Sequence, residues 1–503
     1  MLTRRIVHAE ANGHPLVYDL LMKTTVVWFE NDHRFNDHPA LDWAAKRGAV
    51  VPVVIWAPGE AGAWPAGAAS RWWLHQSLTR LAEESGKRGS PLVIRQVAKR
   101  NDDVLRQLER LIDETRADAV VWNCRYEPAA VARDQRIETH LRARGVSVKT
   151  FHGNLLFPPG TVQTNAGRPF QVFTPFWKRC RAMGTTPDIV PAPSQMQPPE
   201  KVCQSLSIDD LGLLPRIRWD GGLAARWQPG EAGARQRLSQ FASERIRDYA
   251  EGRNRPDQTG TSSLSPHLHF GEISPRQVWQ AVESAALQMA DRAAADTFLA
   301  EIGWREFAYH LLHHFPHTTA EPLREAFAQF PWRDDPTALT AWQKGQTGYP
   351  IIDAGMRELW ATGWMHNRVR MLVGSFLTKH LRISWQSGAA WFWDTLVDAD
   401  LASNSLGWQW IAGCGADAAP YFRIFNPVIQ GERFDPDGHY VRRWVPELQD
   451  LPTKYIHQPW SATPSLLKKH GVTLGLTYPE PIVDHATARA AALAAFATFR
   501  GKS

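Results

Sequence analysis

The sequence has few cysteines and no motif that joins them. Cys124, Cys180, Cys203 and Cys414 follow neither CxxC spacing nor a Cys–His metal pattern. This scatter argues against a structural zinc site and against a disulfide framework. We interpret the four residues as buried thiols.

Long apolar runs are also lacking. Runs such as AVVPVVIWA, residues 49–57, fall far short of the membrane requirement, because a spanning helix needs ~20 consecutive apolar residues. The first residues have no apolar stretch next to a cleavage site, which a secretory signal would require. We therefore expect a globular protein with no membrane segment, located in the cytoplasm.

What is present indicates a large folded chain with an excess of tryptophan. With 503 residues, of which 44% are apolar, the protein exceeds what one hydrophobic core usually serves. The formal net charge of +6 permits a polyanionic partner without requiring one. Core packing accounts for most tryptophans in most proteins, but here there are 23, and some cluster as WFW (391–393) and WQW (408–410).

The first half of the chain alternates between strand-like and helix-like segments. Residues 1–21 show no clear periodicity, so we predict an N-terminal extension followed by a domain over residues 22–152. Predicted strands cover residues 26–29, 50–57, 91–96, 119–123 and 146–151, and predicted helices lie near residues 37–47, 70–85, 101–116 and 129–144. Repeated βαβ units predict a doubly wound parallel sheet, a Rossmann-like α/β domain. No GxGxxG follows the first strand, so a dinucleotide is not expected at the usual phosphate position.

The second half is helical in pattern. Between about residues 185 and 235 the chain is rich in proline and glycine, and we predict an interdomain linker over residues 153–235. Beyond it, nearly every apolar pattern has helical period, which predicts an all-helical domain over residues 236–503.

A hydroxyl-rich segment lies near the start of this helical domain. GTSSLSPHLHFGEISP (260–275) groups Thr261, Ser262, Ser263 and Ser265 after a glycine. Hydroxyls and free backbone N–H groups at a helix start can hold a phosphate or diphosphate. An ordinary Ser/Thr helix cap is the alternative.

Three further segments combine charged, amide and aromatic side chains. Glu301, Trp304 and Arg305 share one predicted helix face, as do Asn367, Arg370 and Met371, and the segment DADLASNSLGWQWIAG (398–413) contributes two acids, an asparagine and two tryptophans. Such groups make a poor core surface but a good lining for a polar cavity. An Asp beside an Arg in that cavity would hold charge near a cofactor. Acid/base carboxylates are the competing interpretation, but no Ser-His-Asp order, HExxH or metal-ligand set accompanies them. Spacing alone leaves the ligand unnamed.

These motifs resemble one known family. GTSSLSPHLHFGEISPRQVW, EIGWREFAYHLL, WQKGQTGYPIIDAGMRELWATGWMHNRVRM and DADLASNSLGWQW are similar to the photolyase/cryptochrome flavoproteins. WFENDHRFNDHPAL is similar to the WFRxDLRLxDNxAL opening of the family's antenna domain, and departs from it at Glu30, His33 and Phe35. The resemblance runs from about Met22 to the C-terminus, and is nearest to bacterial class I and class III cyclobutane pyrimidine dimer photolyases.

The resemblance implies a U-shaped FAD in the helical domain. Matched motif by motif, the residues that would bind it are Tyr249, Thr261, Ser262, Ser263, Leu264, Ser265, Arg305, Asn367, Arg370, Asp398, Asp400 and Asn404. Arg370 and Asp398 would pair against the isoalloxazine ring, and Asn404 would face flavin N5. Asparagine at that position is the family's usual photolyase residue, whereas plant cryptochromes usually have aspartate and animal cryptochromes cysteine.

The resemblance also implies damaged DNA as the partner and light-driven repair as the activity. The residues that would contact the flipped lesion or the DNA backbone are Arg253, Glu301, Trp304, Asn367, Arg368, Met371, Trp410 and Arg423. Reduced flavin, excited by light, would pass an electron to the pyrimidine dimer, the cyclobutane ring would open, and the electron would return to the flavin. Separately, Trp408, Trp385 and Trp332 would pass electrons from the surface to oxidised flavin. Photolyases are among the base-flipping enzymes.

Three matters stay open at this point. A cryptochrome-like blue-light receptor with the same flavin and tryptophans is the alternative function, and a helical DNA-binding protein without flavin is a third. We expect an antenna chromophore, with 5,10-methenyltetrahydrofolate favoured over a deazaflavin, although Ala130 replaces the pterin-holding glutamate of some relatives. We expect a monomer.

Overall fold

The structure is a computed structural model and describes residues 23–97, 102–184, 188–201 and 203–501. The predicted N-terminal extension, residues 1–21, lies outside the described residues. In the part that the structure describes, no helix is both long and apolar enough to cross a membrane.

The N-terminal domain is a five-stranded parallel sheet in the order β3-β2-β1-β4-β5. Its strands are β1 (Thr24–Phe29), β2 (Ala49–Trp56), β3 (Val93–Gln96), β4 (Ala119–Asn123) and β5 (Ser147–Phe151). The helices between them are α1 (Pro39–Ala45), α2 (Ala68–Lys87), α3 (Val104–Thr115) and α4 (Pro128–Ala143).

Both faces of this sheet are covered. Val26 and Trp28 of β1 pack with α3 and α4, whereas Val27 and Phe29 pack with α1 and α2. Successive side chains of a strand point to opposite faces, so the inner strands β1, β2 and β4 are buried on both sides along nearly their whole length. This burial produces the continuous apolar runs of the sequence, whereas the edge strands β3 and β5 include polar residues. The predicted doubly wound α/β fold is confirmed.

The segment predicted as a linker contains packed helices. These are α5 (Phe173–Met183), α6 (Gly221–Arg226) and α7 (Glu231–Gln240), and α7 runs across the predicted boundary at residue 235. In α5, Phe173, Phe176 and Cys180 bury one face against the helical domain. The remaining domain boundaries stay predictions.

The rest of the described chain consists of helices and loops, as predicted. Its α-helices are α8 (Tyr249–Gly252), α9 (Ser265–His269), α10 (Pro275–Ala286), α11 (Ala293–His314), α12 (Pro336–Gln343), α13 (Pro350–Thr362), α14 (Asn367–Ser375), α15 (Trp385–Thr395), α16 (Leu401–Ala412), α17 (Pro427–Phe434), α18 (His439–Trp444), α19 (Pro464–Lys469) and α20 (His485–Arg500). Single π-helical turns cover Phe241–Arg245 and Phe376–His380. Short 3₁₀ helices cover Pro58–Glu60, Asp209–Leu211, Ile246–Asp248, Pro316–Thr319, Glu325–Gln329, Pro446–Leu448, Thr453–Tyr455 and Pro459–Ser461.

A buried arginine joins the two domains. Arg34, which has no exposed surface, donates to the carbonyl oxygens of Gly153 and Gly271 at 2.7 and 2.9 Å. It also donates to the carbonyl of Asp37, whose carboxylate accepts a hydrogen bond from Arg276 Nε at 2.8 Å. One guanidinium therefore fastens the loop after β1 to the segment after β5 and to the turn between α9 and α10. The sequence motif contained this arginine, but its hydrogen bonds between the two domains were not predicted.

Candidate functional site

A cavity of about 560 Å³ lies among helices α11, α14, α15 and α16. It brings together residues that are far apart in sequence, and most of the predicted site residues line it: Arg253, Ser265, Glu301, Trp304, Arg305, Asn367, Arg368, Arg370, Met371, Asp398, Asn404, Trp408 and Trp410. The volume is in the range of small-molecule and cofactor sites.

Other predicted site residues do not line this cavity. They are Tyr249, Thr261, Ser262, Ser263, Leu264, Asp400, Arg423, Trp385 and Trp332. Tyr249 and Leu264 are buried in a core cluster with Phe298, so the Leu264 side chain is a core group, and its predicted cofactor contact would have to be made by its backbone. Ser263 has a left-handed backbone, with φ of 52°. The predicted phosphate contacts of this segment stay predictions.

An ion pair lies in the cavity wall. Arg370 Nη2 donates to both carboxylate oxygens of Asp398, at 3.0 and 2.8 Å, and Arg370 Nε donates to the carbonyl of Met365 at 2.8 Å. The Asp398 side chain is only 3% exposed, against 25% for Arg370. The ion pair and its hydrogen bonds offset the cost of burying the Asp398 charge. The part of the Arg370 guanidinium that is not paired can face a ligand.

Helix α16 holds Asn404 in the wall. Asp400 is the N-cap of α16 and accepts the backbone N–H of Ser403 at 2.8 Å, which starts the helix one turn before Asn404. Asn404 Nδ2 donates to the carbonyl of Ala389 at 3.1 Å, so the amide orientation is fixed by its neighbour. Its oxygen is then left for a ligand.

Asp400 itself acts behind the wall. Its carboxylate also accepts a hydrogen bond from the Tyr309 hydroxyl, and lies 3.8 Å from His269 Nδ1. Burial raises the pKa of Asp400, but the interactions with His269, Arg305 and Tyr309 outweigh it and hold the pKa well below its usual range. The structure therefore supports a role for Asp400 in positioning α16.

Another acid and a pair of arginines lie on the α11 and α14 side. Glu301 pairs with Arg253 at 2.7 Å; burial raises the pKa of Glu301, while the charge of Arg253 opposes the rise. Arg368 donates to Asn254 Oδ1, and its guanidinium lies 4.6 Å from the Phe434 ring centre. Arg423 is exposed on the loop after α16.

Trp304 stands in the cavity wall with one face already covered. Its ring centre lies 3.9 Å from that of Phe173, and the two planes differ by 10°. Phe173 belongs to α5, inside the predicted linker. Nothing in the sequence pattern indicated this stack, because the two residues are 131 positions apart and the stack depends on how α5 packs against α11.

The three predicted electron-transfer tryptophans run from the cavity outward. Trp408 lines the cavity and is 3% exposed, Trp385 is 2% exposed, and Trp332 is half-buried. All three belong to, or pack against, one hydrophobic core. One indole at the cavity, a second buried indole and a partly exposed third are what a path from a central ligand to the surface requires.

The cavity residues fit a flavin. The Nε1 group of Trp408 is buried without a hydrogen-bond partner among the described residues, and a buried unpaired donor costs free energy unless a ligand satisfies it. Together with a fixed amide and a guanidinium–carboxylate pair, this wall offers donors and acceptors to a flat, polar ring system. No metal site is formed by His, Cys, Asp and Glu in the described ranges.

A second cavity, of about 530 Å³, was not anticipated from the sequence. It lies between α5 and α10, and its walls include Trp177, Trp279, Arg181, Arg276 and Arg292. The two indoles meet edge to face at 5.8 Å, and Trp279 Nε1 is buried with no partner in the described part of the chain. Ala130, by contrast, is a buried methyl group on α4 and has no polar group to offer a pterin.

Comparison with known proteins agrees with this geometry. Residues 25–198 match the family described as DNA photolyase, and residues 298–498 match the family described as the FAD binding domain of DNA photolyase. A deoxyribodipyrimidine photo-lyase of Agrobacterium fabrum is 48% identical, over 94% of this chain and 98% of that protein. Cryptochrome-2 of Arabidopsis thaliana is 41% identical, over 93% of this chain and 78% of that protein.

A solved structure shows the same arrangement over nearly the whole chain. A bacterial class III photolyase from Agrobacterium tumefaciens superposes with a TM-score of 0.93 at 46% identity, covering 97% of this chain and 99% of that one. Sequence identity, domain matches and fold thus agree with the resemblance carried by the motifs, and the chain belongs to the photolyase/cryptochrome family.

Proposed function

We propose that this protein is a light-driven DNA repair enzyme that splits cyclobutane pyrimidine dimers, using reduced FAD held in the central cavity. One observation carries the proposal. A single cavity joins a flavin-type wall, made by Arg370, Asp398 and Asn404, to aromatic and charged groups suited to a flipped base, such as Trp304 and Glu301.

The flavin-type wall would hold and tune the cofactor. Arg370 and Asp398 would face the ring system as a neutral pair, so this part of the wall carries no net charge. Asn404, fixed by Ala389, would present its amide oxygen to a ring N–H. When it is bound and reduced, FAD absorbs light and supplies the electron that opens the dimer.

The other wall would receive the lesion. Trp304 and Trp410 offer flat indoles on which bases can stack, and Arg253, Arg368 and Arg423 can neutralise backbone phosphates. Glu301, held by Arg253, can accept a hydrogen bond from a base edge. A dimer is already poorly stacked, which lowers the cost of moving it out of the duplex.

Trp408, Trp385 and Trp332 would carry electrons inward to oxidised FAD. Trp408 and Trp385 are buried and Trp332 is partly exposed, so an external reductant can reach Trp332. This recharging is separate from repair and needs no general acid or base.

The second cavity is our candidate for the antenna chromophore, with 5,10-methenyltetrahydrofolate favoured and a deazaflavin as the alternative. Two tryptophans would contact a flat pterin. The wall also includes three arginines, each already paired with a carboxylate of the chain, and their remaining N–H groups would face acidic groups of the ligand: Arg181 with Asp296, Arg276 with Asp37 and Arg292 with Glu283. The absorbance spectrum of purified protein, with and without added folate, separates the two chromophores. Trp279→Ala should abolish the absorbance band of the antenna chromophore and leave the FAD band.

For the protein as a whole, we predict a monomer located in the cytoplasm.

Repair activity can be tested directly. Reduced protein is mixed with a thymine-dimer oligonucleotide and illuminated, and the recovery of absorbance at 260 nm is followed against a dark control. Light-dependent recovery supports the proposal. A yellow protein that is reduced by light yet repairs nothing would instead favour a cryptochrome-type receptor.

A further inference from the structure

Trp304 does not stand alone in the cavity wall. The Phe173 ring is parallel to it, within 10°, at a centre-to-centre distance of 3.9 Å. That distance leaves no room for another ring between the two, so Phe173 covers one face of the indole. Only the opposite face of Trp304 is left for a base.

The stack is held from behind. Trp177, one turn further along α5, is nearly parallel to Phe173, at 13° and 6.3 Å. Helix α5 can approach α11 this closely because residue 303 is glycine. A β-carbon at Gly303 would lie 2.6 Å from the Trp177 ring. Phe173 is 8% exposed, so it has little freedom to leave the stack.

The start of α5 is also tied to the loop after α16. The Phe173 N–H donates to Asp417 Oδ2 at 3.2 Å, and the Asp417 N–H donates to the Gln171 carbonyl at 3.1 Å. The same loop carries Arg423, which we propose to hold DNA phosphate. These two hydrogen bonds, one to the Asp417 carboxylate and one between backbone groups, therefore connect the start of α5 to another part of the proposed DNA-binding surface.

We propose that Phe173 is a positioning residue for damaged DNA: it fixes the plane of Trp304 and thereby prepares the indole to stack on the flipped dimer. The inference rests on the proposed function. Phe173 would not touch the lesion, because its ring lies behind Trp304. Its effect is to hold the indole in place before the lesion arrives, so that less freedom is lost on binding.

The test replaces the ring and compares two kinds of DNA. Phe173→Leu should raise the Kd for dimer-containing oligonucleotide by about 2- to 10-fold, the range expected for losing one aromatic pair. Its Kd for undamaged DNA, which does not use the Trp304 face, should be unchanged. Repair per absorbed photon at saturating DNA should also be unchanged, since FAD and its wall are not altered. Phe173→Tyr keeps the ring and should behave as the parent.

Phe176→Leu is the matched control. Phe176 is on the same helix and 1% exposed, but it packs against Phe307 and His310 and makes no ring contact with Trp304. If Phe173→Leu does not fold, Phe173→Met fills similar space without a ring and has the same expected result.

The outcomes separate the inference from the proposed function. Parent-like affinity of Phe173→Leu for dimer DNA would overturn the inference, as would equal losses in Phe173→Leu and Phe176→Leu, or equal losses for damaged and undamaged DNA. If the parent protein itself did not prefer damaged DNA, the proposed function would fail instead.

Discussion

The Trp408 indole lies directly on the backbone of Gly388. A β-carbon at residue 388 would be 2.1 Å from Cη2 of Trp408, well inside contact distance. Gly388 is on α15, one turn after Trp385. This glycine lets α15 and α16 approach closely, and it brings the helix that carries Trp385 against the ring that lines the cavity.

We predict that Gly388→Ala will both destabilise the protein and slow the light-driven reduction of bound FAD. The added methyl group has no space, so Trp408 or α15 must shift, at a typical cost of ~1–3 kcal/mol for overpacking. Thermal unfolding and the bleaching of oxidised FAD under blue light, with an external reductant, measure the two effects. The chemically reduced variant should still repair dimers, because flavin recharging and repair are separate.

Trp342→Phe is the control. The Trp342 ring also lies against Trp408, at 6.2 Å, but Trp342 is not one of the three predicted electron-transfer tryptophans, so its replacement should leave photoreduction near the parental rate. An unslowed Gly388→Ala would count against the path through Trp408.

Asn404→Asp is expected to change which reduced form of the flavin persists. The Asn404 amide donates to the Ala389 carbonyl, and a carboxylate there would place two acceptors against each other. The side chain would turn or take up a proton, and its interaction with the ring would change in either case. Absorbance spectra during photoreduction report this directly. Spectra identical to those of the parent would argue against Asn404 being next to the flavin.

Trp304→Ala should weaken binding of dimer-containing DNA by ~1–3 kcal/mol, the usual value of one base–aromatic stack. The loss should exceed that of Phe173→Leu, because the stacking surface itself is removed. Gel-shift or fluorescence titration of damaged and undamaged oligonucleotides measures it. Equal affinity of variant and parent would remove Trp304 from the lesion site.

A pH effect is expected from Glu306, which is buried where α11 meets the segment after β5. Its Oε2 accepts the backbone N–H groups of Leu156 and Phe157, each at 3.0 Å. Burial raises its pKa from 4.5 to about 7, although Arg305 and the two N–H groups oppose the rise. Between these two values the unfolded chain has released the proton and the folded chain has not. The contribution of Glu306 to the free energy of unfolding is therefore highest at and below pH 4.5, and it is lost as the pH rises toward about 7.

Glu306→Gln keeps an oxygen for the two N–H groups and removes the titration. Relative to the parent, the variant should gain up to about 3 kcal/mol in free energy of unfolding between pH 4.5 and pH 7. Urea unfolding of both proteins across this range measures the difference. Parallel curves would mean that Glu306 ionises normally in the folded protein.

Local pattern was enough for much of this protein. The apolar strands around Val26 and Val120, each followed by an amphipathic helix, predicted the parallel sheet, because only burial on both faces requires such continuous runs. The motifs around Glu301, Asn367 and Asp398 were each read from local spacing, and their resemblance to one family predicted a common cavity. Local signals of this kind are carried by a few adjacent residues, so no knowledge of long-range packing is needed.

Long-range packing decided the rest. The stack of Phe173 on Trp304, the fastening of both domains by Arg34, and the second cavity between Trp177 and Trp279 each join elements that are distant in sequence. Periodicity says which side of a helix is buried, but not which helix it meets or at what distance. That choice depends on how all helices fill space together, and at Gly303 and Gly388 on the absence of a single β-carbon. The sequence by itself therefore determined the sheet, the helices and the kind of site, and the tertiary structure determined which ring lies against which.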